Sequence, residues 1–544
     1  MSHEIDTGGQ GGILANKTLW LIVGIAFFVV VGFILPTPES LVETIDKHGI
    51  ANKLIDWGIA ENLDHAADKA MTVLGIIPMA IIFFATEAIP IGLTGILMPL
   101  LAYFLGLLPR GMIGKTFAGD APLFLLGVLA MGVAVVDVGL HKRLATWILG
   151  WTRGFYTPIF VLCISMAIIG SFISAHAMCA FMTPVMMAVY FGVVSEKSSG
   201  GRIEHDPNLA KFLLFALCFA LNVGGVGSPA AGGRNVIMMG FWQGYNVPMD
   251  FFTWMTYGFP MVPVLGLIVA VYMIVLFSGK IKHKDLTPGL AAMKEETRKM
   301  GKMKYAEYVT FAMLIVILGL WIFADLGLGG PALLALIIPV IFRTTAWNKI
   351  LGGISWDAWF MYCGALTLGA LLKETGAALW LAQSVMGILS YAGMSQGFGL
   401  WVGLSSFSGL MTNFMSDAGT TALLGPIVIP MGIMSEVAGE PWASGLAVAF
   451  ATSFAHFLIV GTPNNAIVYG LGTYPDTGER AIAPIDFLKY GFILWVICLV
   501  VVWVLAFGVM FKIVGFPPEV LETATKVFES GAADLSKAAE GAAH

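Results

Sequence analysis

The chain has 544 residues, of which 58% are hydrophobic and 12% are charged. A soluble protein carries about twice that charged fraction, so the composition excludes an ordinary soluble domain. The formal net charge of −5 provides no basic surface for nucleic acid. The five cysteines lie scattered in apolar segments, without the spacing of a metal site. We therefore expect membrane lipid around the chain, no nucleic-acid partner and no cofactor.

Several apolar segments exceed the roughly 18 residues that cross a bilayer. The first, Thr18–Leu35, follows a polar start without a cleavable signal pattern, so it is predicted as a retained span. The sequence thus predicts an all-α, multi-pass protein with about 11 transmembrane segments, placed in the cell membrane, the inner membrane of a bacterium.

After this span, Thr37–Lys69 is polar and is predicted to form surface helices. Three further spans and a short interfacial helix are predicted before the first long uncharged segment. They are Met71–Ala85, Ile91–Leu108, Pro122–Val138 and the interfacial helix Gly139–Gly150.

The segment Phe155–Ser195 contains no Asp, Glu, Lys or Arg, yet it carries the polar break Ser174-Ala175-His176 near its middle. One helix of this length would measure about 60 Å, twice the thickness of the hydrocarbon core. Two helices folded back as a re-entrant hairpin resolve the mismatch. A helix over Leu209–Gly240 follows, and Gly224–Asn235 interrupts it.

The basic segment Lys280–Lys304 separates two halves of the chain and is predicted to be cytoplasmic under the positive-inside rule. The second half repeats the order of the first. Its elements are spans near Tyr308–Ala324, Ala332–Phe342 and Ala358–Leu372, a connector Gly376–Ala382, and a final span Tyr490–Phe511.

A second uncharged stretch, Thr375–Met415, ends on the polar triplet Ser416-Asp417-Ala418. The triplet separates two apolar arms, so it predicts a second hairpin tip. The arms are Gln396–Met415 and Thr420–Ser435. A second broken helix, Trp442–Leu471, follows and is interrupted at Gly461–Asn465.

Paired broken helices at matching positions of two halves indicate an inverted repeat with a substrate site near the bilayer midplane. The predicted divisions are a tail (1–17), scaffold spans with extramembrane helices (18–121), the rest of repeat 1 (122–279), the linker (280–305), repeat 2 (306–515) and a C-terminal tail (516–544).

Three motifs in order resemble one family. They are Thr86-Glu87-Ala88-Ile89-Pro90, Gly139-Leu140-His141-Lys142-Arg143 and Gly461-Thr462-Pro463-Asn464-Asn465-Ala466-Ile467. Together they resemble the divalent anion/sodium symporter family, which imports dicarboxylates, citrate or sulfate. The resemblance covers the chain from about Met71 to Phe511.

The resemblance implies a homodimer in which a transport domain moves against a scaffold as an elevator. It places a small anion at the two hairpin tips and the two loops. The implied substrate-binding residues are Ser174, Ala175, His176, Arg234, Asn235, Ser416, Asp417, Ala418, Thr462 and Pro463. The implied sodium ligands are Ser174, Gly227, Ser228, Ser416, Asp417, Gly461 and Thr462.

The chain departs from the family pattern at both tips, where Ser-Asn-Thr is expected. Only the serines remain, since Ala175 and Asp417 replace Asn, and His176 and Ala418 replace Thr. The first loop has Gly232-Gly233-Arg234-Asn235 where Thr-Pro-Pro-Asn is expected. These changes point away from the standard C4-dicarboxylate geometry and towards sulfate, a sulfonate or an unusual organic acid.

A buried dianion needs compensating charge, which helix N-termini, Arg234 and co-transported cations can supply. This favours symport with sodium, while Asp417 and His176 leave proton coupling or anion exchange open. Arg234 and Asp417 could instead form a structural ion pair, and His176 could be a neutral core histidine. Asn235 and Asn465 could cap helices without touching a ligand.

Two other classes are weighed against a transporter. A membrane-embedded hydrolase could use His176, Asp417 and the two tip serines, but no nucleophile elbow or zinc-protease motif occurs. A channel fits less well, since both tips would close around a bound ligand. We predict a transporter and not an enzyme.

Overall fold

The computed structural model describes residues 16–196, 205–324, 326–437, 439–474 and 476–529. Within them the chain is helical, and the only β feature is an isolated bridge between Thr473 and Arg480. Eight of the described helices are long and apolar enough to cross a membrane, or nine if one bent pair counts as a single span. The prediction of an all-α, multi-pass membrane protein is confirmed.

The N-terminal part follows the predicted order. The polar segment after the first span forms two short helices, α2 and α3. The elements are α1 (Lys17–Val29, continued by a π-helical turn Val30–Ile34), α2 (Glu39–Lys47), α3 (Ile50–Asp56), α4 (Leu63–Thr86), α5 (Ile91–Phe104), α6 (Arg110–Ala118), α7 (Asp120–Asp137) and α8 (Leu140–Leu149).

The first uncharged stretch forms two helices, α9 (Tyr156–Gly170) and α10 (Ala175–Glu196). The chain leaves helical geometry between them at the predicted polar triplet, and we call this break tip 1. The first broken helix follows as α11 (Pro207–Val223) and α12 (Gly233–Gly244). The intervening segment, loop 1, contains two 3₁₀ turns, Gly224–Val226 and Pro229–Ala231.

The centre of the chain joins the two halves. Arg143 of α8 donates hydrogen bonds to the backbone carbonyls of Gly301 and Lys302, which fixes the end of the basic linker beside α8. The helices here are α13 (Phe251–Gly258), α14 (Met261–Phe277), α15 (Thr287–Lys299), α16 (Tyr305–Phe323), α17 (Gly329–Ile341), α18 (Trp347–Gly353) and α19 (Trp356–Glu374).

The second half departs from prediction at one place. The expected connector Gly376–Ala382 is wrong, because it belongs to a full helix, α20 (Ala377–Tyr391). Glycines with positive φ, Gly393 and Gly397, end that helix and begin the next. The uncharged stretch Thr375–Met415 is therefore two helices on either side of a turn, and only the later one belongs to the second hairpin.

The second hairpin consists of α21 (Gly397–Phe414) and α22 (Asp417–Met434), and the break between them is tip 2. The second broken helix is α23 (Glu440–Ala451) and α24 (Pro463–Leu471), separated by loop 2 (Thr452–Thr462). The C-terminal elements are α25 (Pro484–Val501), a π-helical segment (Val502–Met510), α26 (Phe511–Val514) and α27 (Glu519–Glu529).

The two broken helices run in opposite directions. At one end, the indole of Trp242 in α12 donates to the carbonyl of Pro441 at the start of α23, at 2.8 Å. At the other end, Lys211 in the first turns of α11 pairs with Asp486, which follows α24, at 2.7 Å. This antiparallel pairing is the arrangement that an inverted repeat predicts.

Prediction on the scaffold contact. Helices α5 and α19 touch backbone to backbone, and a Cβ on Gly364 would overlap the carbonyl of Gly95. We expect Gly364→Ala to destabilise the protein by about 1–3 kcal/mol, because the overpacked helices must separate. The measurement is thermal unfolding in detergent. Gly387→Ala is the matched control, since nothing lies within 4 Å of its Cβ position. Equal stability of the two variants would contradict the contact.

Candidate functional site

One large cavity of about 1300 Å³ lies where the four interrupted segments meet. Its lining includes tip 1 from Ser174 to Ala177 and tip 2 from Met415 to Ala418. Loop 1 contributes Pro229 to Gly233, and loop 2 contributes Thr462 and Pro463. The structure therefore brings both predicted tips and both predicted loops to the same space.

Four helices begin at this cavity: α10, α12, α22 and α24. The first backbone N–H groups of a helix have no partner within the helix, and the helix dipole adds partial positive charge there. Side chains cap two of these ends in the same way. Ser416 accepts from the N–H of Gly419 at 3.1 Å, and Ser174 accepts from that of Ala177 at 3.4 Å. This shared capping role accounts for the serine in each tip triplet.

The two loops are held by a matched pair of asparagines. The side-chain amide of Asn235 donates to the carbonyls of Gly225 and Ser228, at 2.8 and 2.7 Å. That of Asn465 donates to the carbonyls of Ala455 and Leu458, at 2.7 and 2.8 Å. Each asparagine thus reaches back ten and seven residues along its own loop. Both asparagines thus give loop carbonyls a hydrogen-bond partner where the helix is interrupted.

The side chain of the residue before each asparagine forms hydrogen bonds with the other half of the chain. The guanidinium of Arg234 donates to the Asp417 carboxylate at 2.6 Å and to the Ser453 hydroxyl at 3.0 Å. Both members of this ion pair are buried. Arg234 therefore ties loop 1 to tip 2 and to loop 2, and its charge is matched by Asp417.

Asn464 is the corresponding residue of the second half, and its side chain is an uncharged amide. Its side chain hydrogen-bonds His176 Nδ1 of tip 1 at 2.9 Å, and it donates to Asn222 of α11 at 2.8 Å. Tip 1 is consequently held by a hydrogen bond to an amide, whereas tip 2 is held by an ion pair.

The predicted site residues divide into two groups by position. Those that line the cavity are Ser174, Ala175, His176, Ser416, Asp417, Ala418, Thr462 and Pro463. Those that lie behind its surface, among the described residues, are Gly227, Ser228, Arg234, Asn235 and Gly461. Arg234 was predicted to bind an anion directly or to form an ion pair with Asp417. In the structure its guanidinium is bonded to Asp417.

Three residues outside the predicted site complete this network: Asn222, Ser453 and Asn464. Asn222 lies at the end of the buried apolar run Phe212–Leu221 of α11, and an amide next to such a run is a detectable signal. Ser453 carries no such signal, because a serine near a helix end is common.

The lining of the cavity also includes exposed charged residues: Lys17, Glu87, Asp137, Lys349, Asp357 and Arg480. Lys349 and Asp137 pair at 2.7 Å. The helix of Asp137 ends beside Gly139, which lies near Met300 of the basic linker. The Asp137–Lys349 pair of the lining is thus near the linker.

Prediction on the buried pair. Asp417→Asn leaves the Arg234 guanidinium buried without a counter-charge, so we expect a loss of stability of about 3–5 kcal/mol. Replacing both partners, Arg234→Met with Asp417→Leu, should recover most of that loss, since no charge remains buried. Thermal unfolding without ligand measures both effects. Lys349→Gln, at the exposed pair, is the control and should cost less than about 1 kcal/mol. If Asp417→Asn costs no more than the control, the pair does not stabilise tip 2.

Comparison with known proteins places this geometry in context. A family model described as a citrate transporter matches residues 81–449. The chain is 27% identical over 455 residues to an uncharacterized transporter of Haemophilus influenzae, covering 80% of this chain and 90% of that protein. It is 26% identical over 432 residues to the sodium-dependent dicarboxylate transporter SdcS of Staphylococcus saprophyticus, covering 75% and 82%.

Solved structures agree on the fold. The YdaH transporter of Alcanivorax borkumensis matches with a TM-score of 0.51 at 14% identity, covering 76% of this chain and 91% of that one. The efflux pump MtrF of Neisseria gonorrhoeae matches with a TM-score of 0.51 at 11% identity, covering 75% and 83%. The family resemblance seen in the sequence is confirmed, and the chain belongs to the citrate transporter family of multi-pass membrane transporters.

Proposed function

We propose that the protein is a secondary transporter that binds a small divalent anion in the cavity between the two tips and moves it together with sodium. The relative from Staphylococcus saprophyticus is named a dicarboxylate transporter, so we propose a dicarboxylate in place of the sulfate or sulfonate that the tip substitutions favoured. The observation that carries this proposal is the convergence of four helix N-termini on one cavity. Free N–H groups at helix N-termini bind anionic groups such as carboxylate.

The charges support a dianion. Arg234 and Asp417 cancel, since they bond to each other. Each helix N-terminus contributes roughly half a positive charge, so four of them offset about two negative charges. The site therefore suits an anion of two charges more closely than one of three.

Sodium coupling rests on two supports. The named relative from Staphylococcus saprophyticus is sodium-dependent. Among the candidate sodium ligands, Ser174, Ser416 and Thr462 combine hydroxyls and backbone carbonyls at the cavity, and oxygen ligands suit a hard cation. Gly227, Ser228 and Gly461 lie just behind that surface, where their carbonyls could complete a site. Asp417 is the least suited of the set, because its carboxylate already binds Arg234.

The orientation of the cavity follows from the linker. The exposed pair Asp137–Lys349 of its lining lies near the linker, whose backbone Arg143 binds, and the positive-inside rule predicts that this side is cytoplasmic. The described conformation is then inward-facing.

The elevator and the homodimer that the family resemblance implies belong to this proposal. The crossing bonds of Arg234 and Asn464 join the hairpins and loops into one unit. That unit meets the scaffold helix α19 where the Phe241 ring packs between Gly369 and Gly425. This close contact is where the unit would move past α19 in an elevator step.

Prediction on coupling. Purified protein in proteoliposomes should accumulate radiolabelled succinate against its gradient when sodium is imposed outside, and should not do so with potassium in its place. The reason is that the sodium gradient supplies the free energy for concentrating the anion. The control variant is Gly387→Ala, whose added methyl meets no neighbour, and it should transport as the unmodified chain does.

The other outcomes select between mechanisms. Accumulation driven by a proton gradient alone would replace sodium with protons, and uptake only against internal succinate would indicate exchange. Chemical conversion of the label without accumulation would indicate an enzyme. Each of these results would contradict sodium symport.

A further inference from the structure

We propose that Arg480, stacked on Tyr469, forms a second anion site at the mouth of the cavity, where it binds one carboxylate of the transported dianion. This site rests on the proposed function, since the same dianion occupies it, and it adds a binding position outside the two tips. Arg480 and Tyr469 both line the cavity, so the second site and the tips share one continuous space.

One face of α24 connects the tips with this second site. The residues of that face that line the cavity are Pro463, Ala466, Tyr469 and Gly470, at the three- and four-residue spacing of a single helix face. Tyr469 lies about 9 Å beyond Pro463 along the helix axis. Ala466 is small, and nothing lies within 4 Å of a Cβ placed on Gly470. The face is therefore an open strip along which an anion can move from the tips to Tyr469.

Arg480 lies on the aromatic ring at the end of this strip. Its guanidinium carbon is 4.3 Å from the centre of the Tyr469 ring, and its Nη1 donates to the Tyr469 hydroxyl oxygen at 2.5 Å. A guanidinium has five N–H donors in a rigid plane, and stacking on an aromatic face leaves the edge of that plane open. Because Arg480 is exposed and lines the cavity, its remaining donors are accessible to a ligand there.

The chain around Arg480 holds its backbone in place. An isolated β-bridge joins Arg480 to Thr473, and the N–H of Ala481 donates to the carbonyl of Gly472 at 2.8 Å. The side chain of Tyr474, next to the bridge, is buried. A side chain that starts from a fixed backbone and lies on a ring loses less entropy when it binds a ligand. Arg480 is thus prepared for binding before the anion arrives.

Contacts near Arg480 place it on the side of the linker. Nε2 of His205 and the carboxylate of Asp476 lie 2.9 Å apart. The next residue, Asp206, accepts a hydrogen bond from the backbone N–H of Lys282 in the linker at 2.7 Å. The positive-inside rule predicts that the linker is cytoplasmic. The second site therefore lies at the cytoplasmic mouth of the cavity.

Arg480 differs in its partners from the other cations of the lining. Among the described residues these cations are Lys17 and Lys349, and Lys349 pairs with Asp137 at 2.7 Å. No acidic side chain in the described part of the chain pairs with Arg480 or with Lys17. A lysine is a point charge on a flexible stem, whereas the flat fork of arginine matches the two oxygens of a carboxylate. Arg480 is consequently the cation of this lining that is both unpaired and oriented.

The second site suits a dianion on its way between the tips and the cytoplasm. One carboxylate binds the Arg480 fork while the other stays hydrated, so the site is weaker than the tips with their four helix N-termini. A fixed cation at the mouth of a cleft raises the local concentration of anions. The dianion therefore passes by Arg480 when it enters or leaves the cavity.

The test measures how fast phenylglyoxal, a reagent for accessible arginine side chains, modifies Arg480 in the purified chain in detergent. Peptide mapping by mass spectrometry gives the rate at each arginine separately. Choline replaces sodium, so that the sodium-coupled tip site does not govern the result. Millimolar succinate should slow the reaction at Arg480 about threefold or more, because a bound carboxylate covers the fork. Neutral succinamide, or choline chloride at equal ionic strength, should leave the rate unchanged.

The chain offers an internal control and two variants. Arg343 is exposed and does not line the cavity, so succinate should not change its rate. Tyr469→Leu removes the ring that orients Arg480 and should abolish most of the protection. Lys17→Gln, at a cation of the lining without such a ring, should keep it. The unmodified chain, with succinate, succinamide and the rate at Arg343, decides the matter even if Tyr469→Leu does not fold.

The outcomes separate this site from the function beneath it. Sodium-driven accumulation of succinate without protection of Arg480 overturns the second site while symport stands. Protection of Arg480 without accumulation supports the second site and contradicts sodium symport. Equal protection by choline chloride, equal protection of Arg343, or full protection in Tyr469→Leu indicates general charge screening and overturns the second site.

Discussion

The structure depends on one constraint, that an interrupted helix inside a membrane must find partners for its freed backbone groups. Water is absent there, so each unpaired N–H or C=O costs several kcal/mol. The two loops meet this constraint with the same device, an asparagine that reaches back to two carbonyls of its own loop. The carbonyls are thus satisfied internally, whereas the N–H groups of the resumed helices stay available for a ligand.

The two halves use this device alike but differ in what joins them. The Arg234 bond to tip 2 is an ion pair, whereas the bond to tip 1 comes from the amide of Asn464. A buried ion pair holds strongly once formed, since separating it leaves two charges without water. The amide of Asn464 carries no charge, and its partner His176 also lines the cavity. The repeat is therefore symmetric in backbone and asymmetric in chemistry.

Much of this arrangement was predictable from the sequence. A polar triplet inside an uncharged stretch located tip 1 at Ser174, and the second triplet located tip 2 at Ser416. Polar residues inside a membrane are costly, so they mark positions with a structural or functional role. The start of the second hairpin could not be found in this way. An uncharged turn at Gly393 looks the same in sequence as an uncharged helix, so Thr375–Met415 concealed a separate helix.

One pairing across the chain was already an open alternative in the sequence. Arg234 was expected either to bind an anion or to pair with Asp417, 183 residues away, and the structure has the pair. The contact between His176 and Asn464, 288 residues apart, has no pattern in the sequence that predicts it. The opposite direction of the two repeats brings these residues together, and only the three-dimensional fold reveals it.

The most direct measurement is a cryo-EM map of the protein with sodium and a bound dicarboxylate. The account predicts density for the ligand between Ser174 and Ser416, within hydrogen-bond distance of the first N–H groups of the helices that begin at the cavity. A map in which the two serines lie far apart, or in which the ligand sits at the exposed mouth beside Lys349, would contradict it.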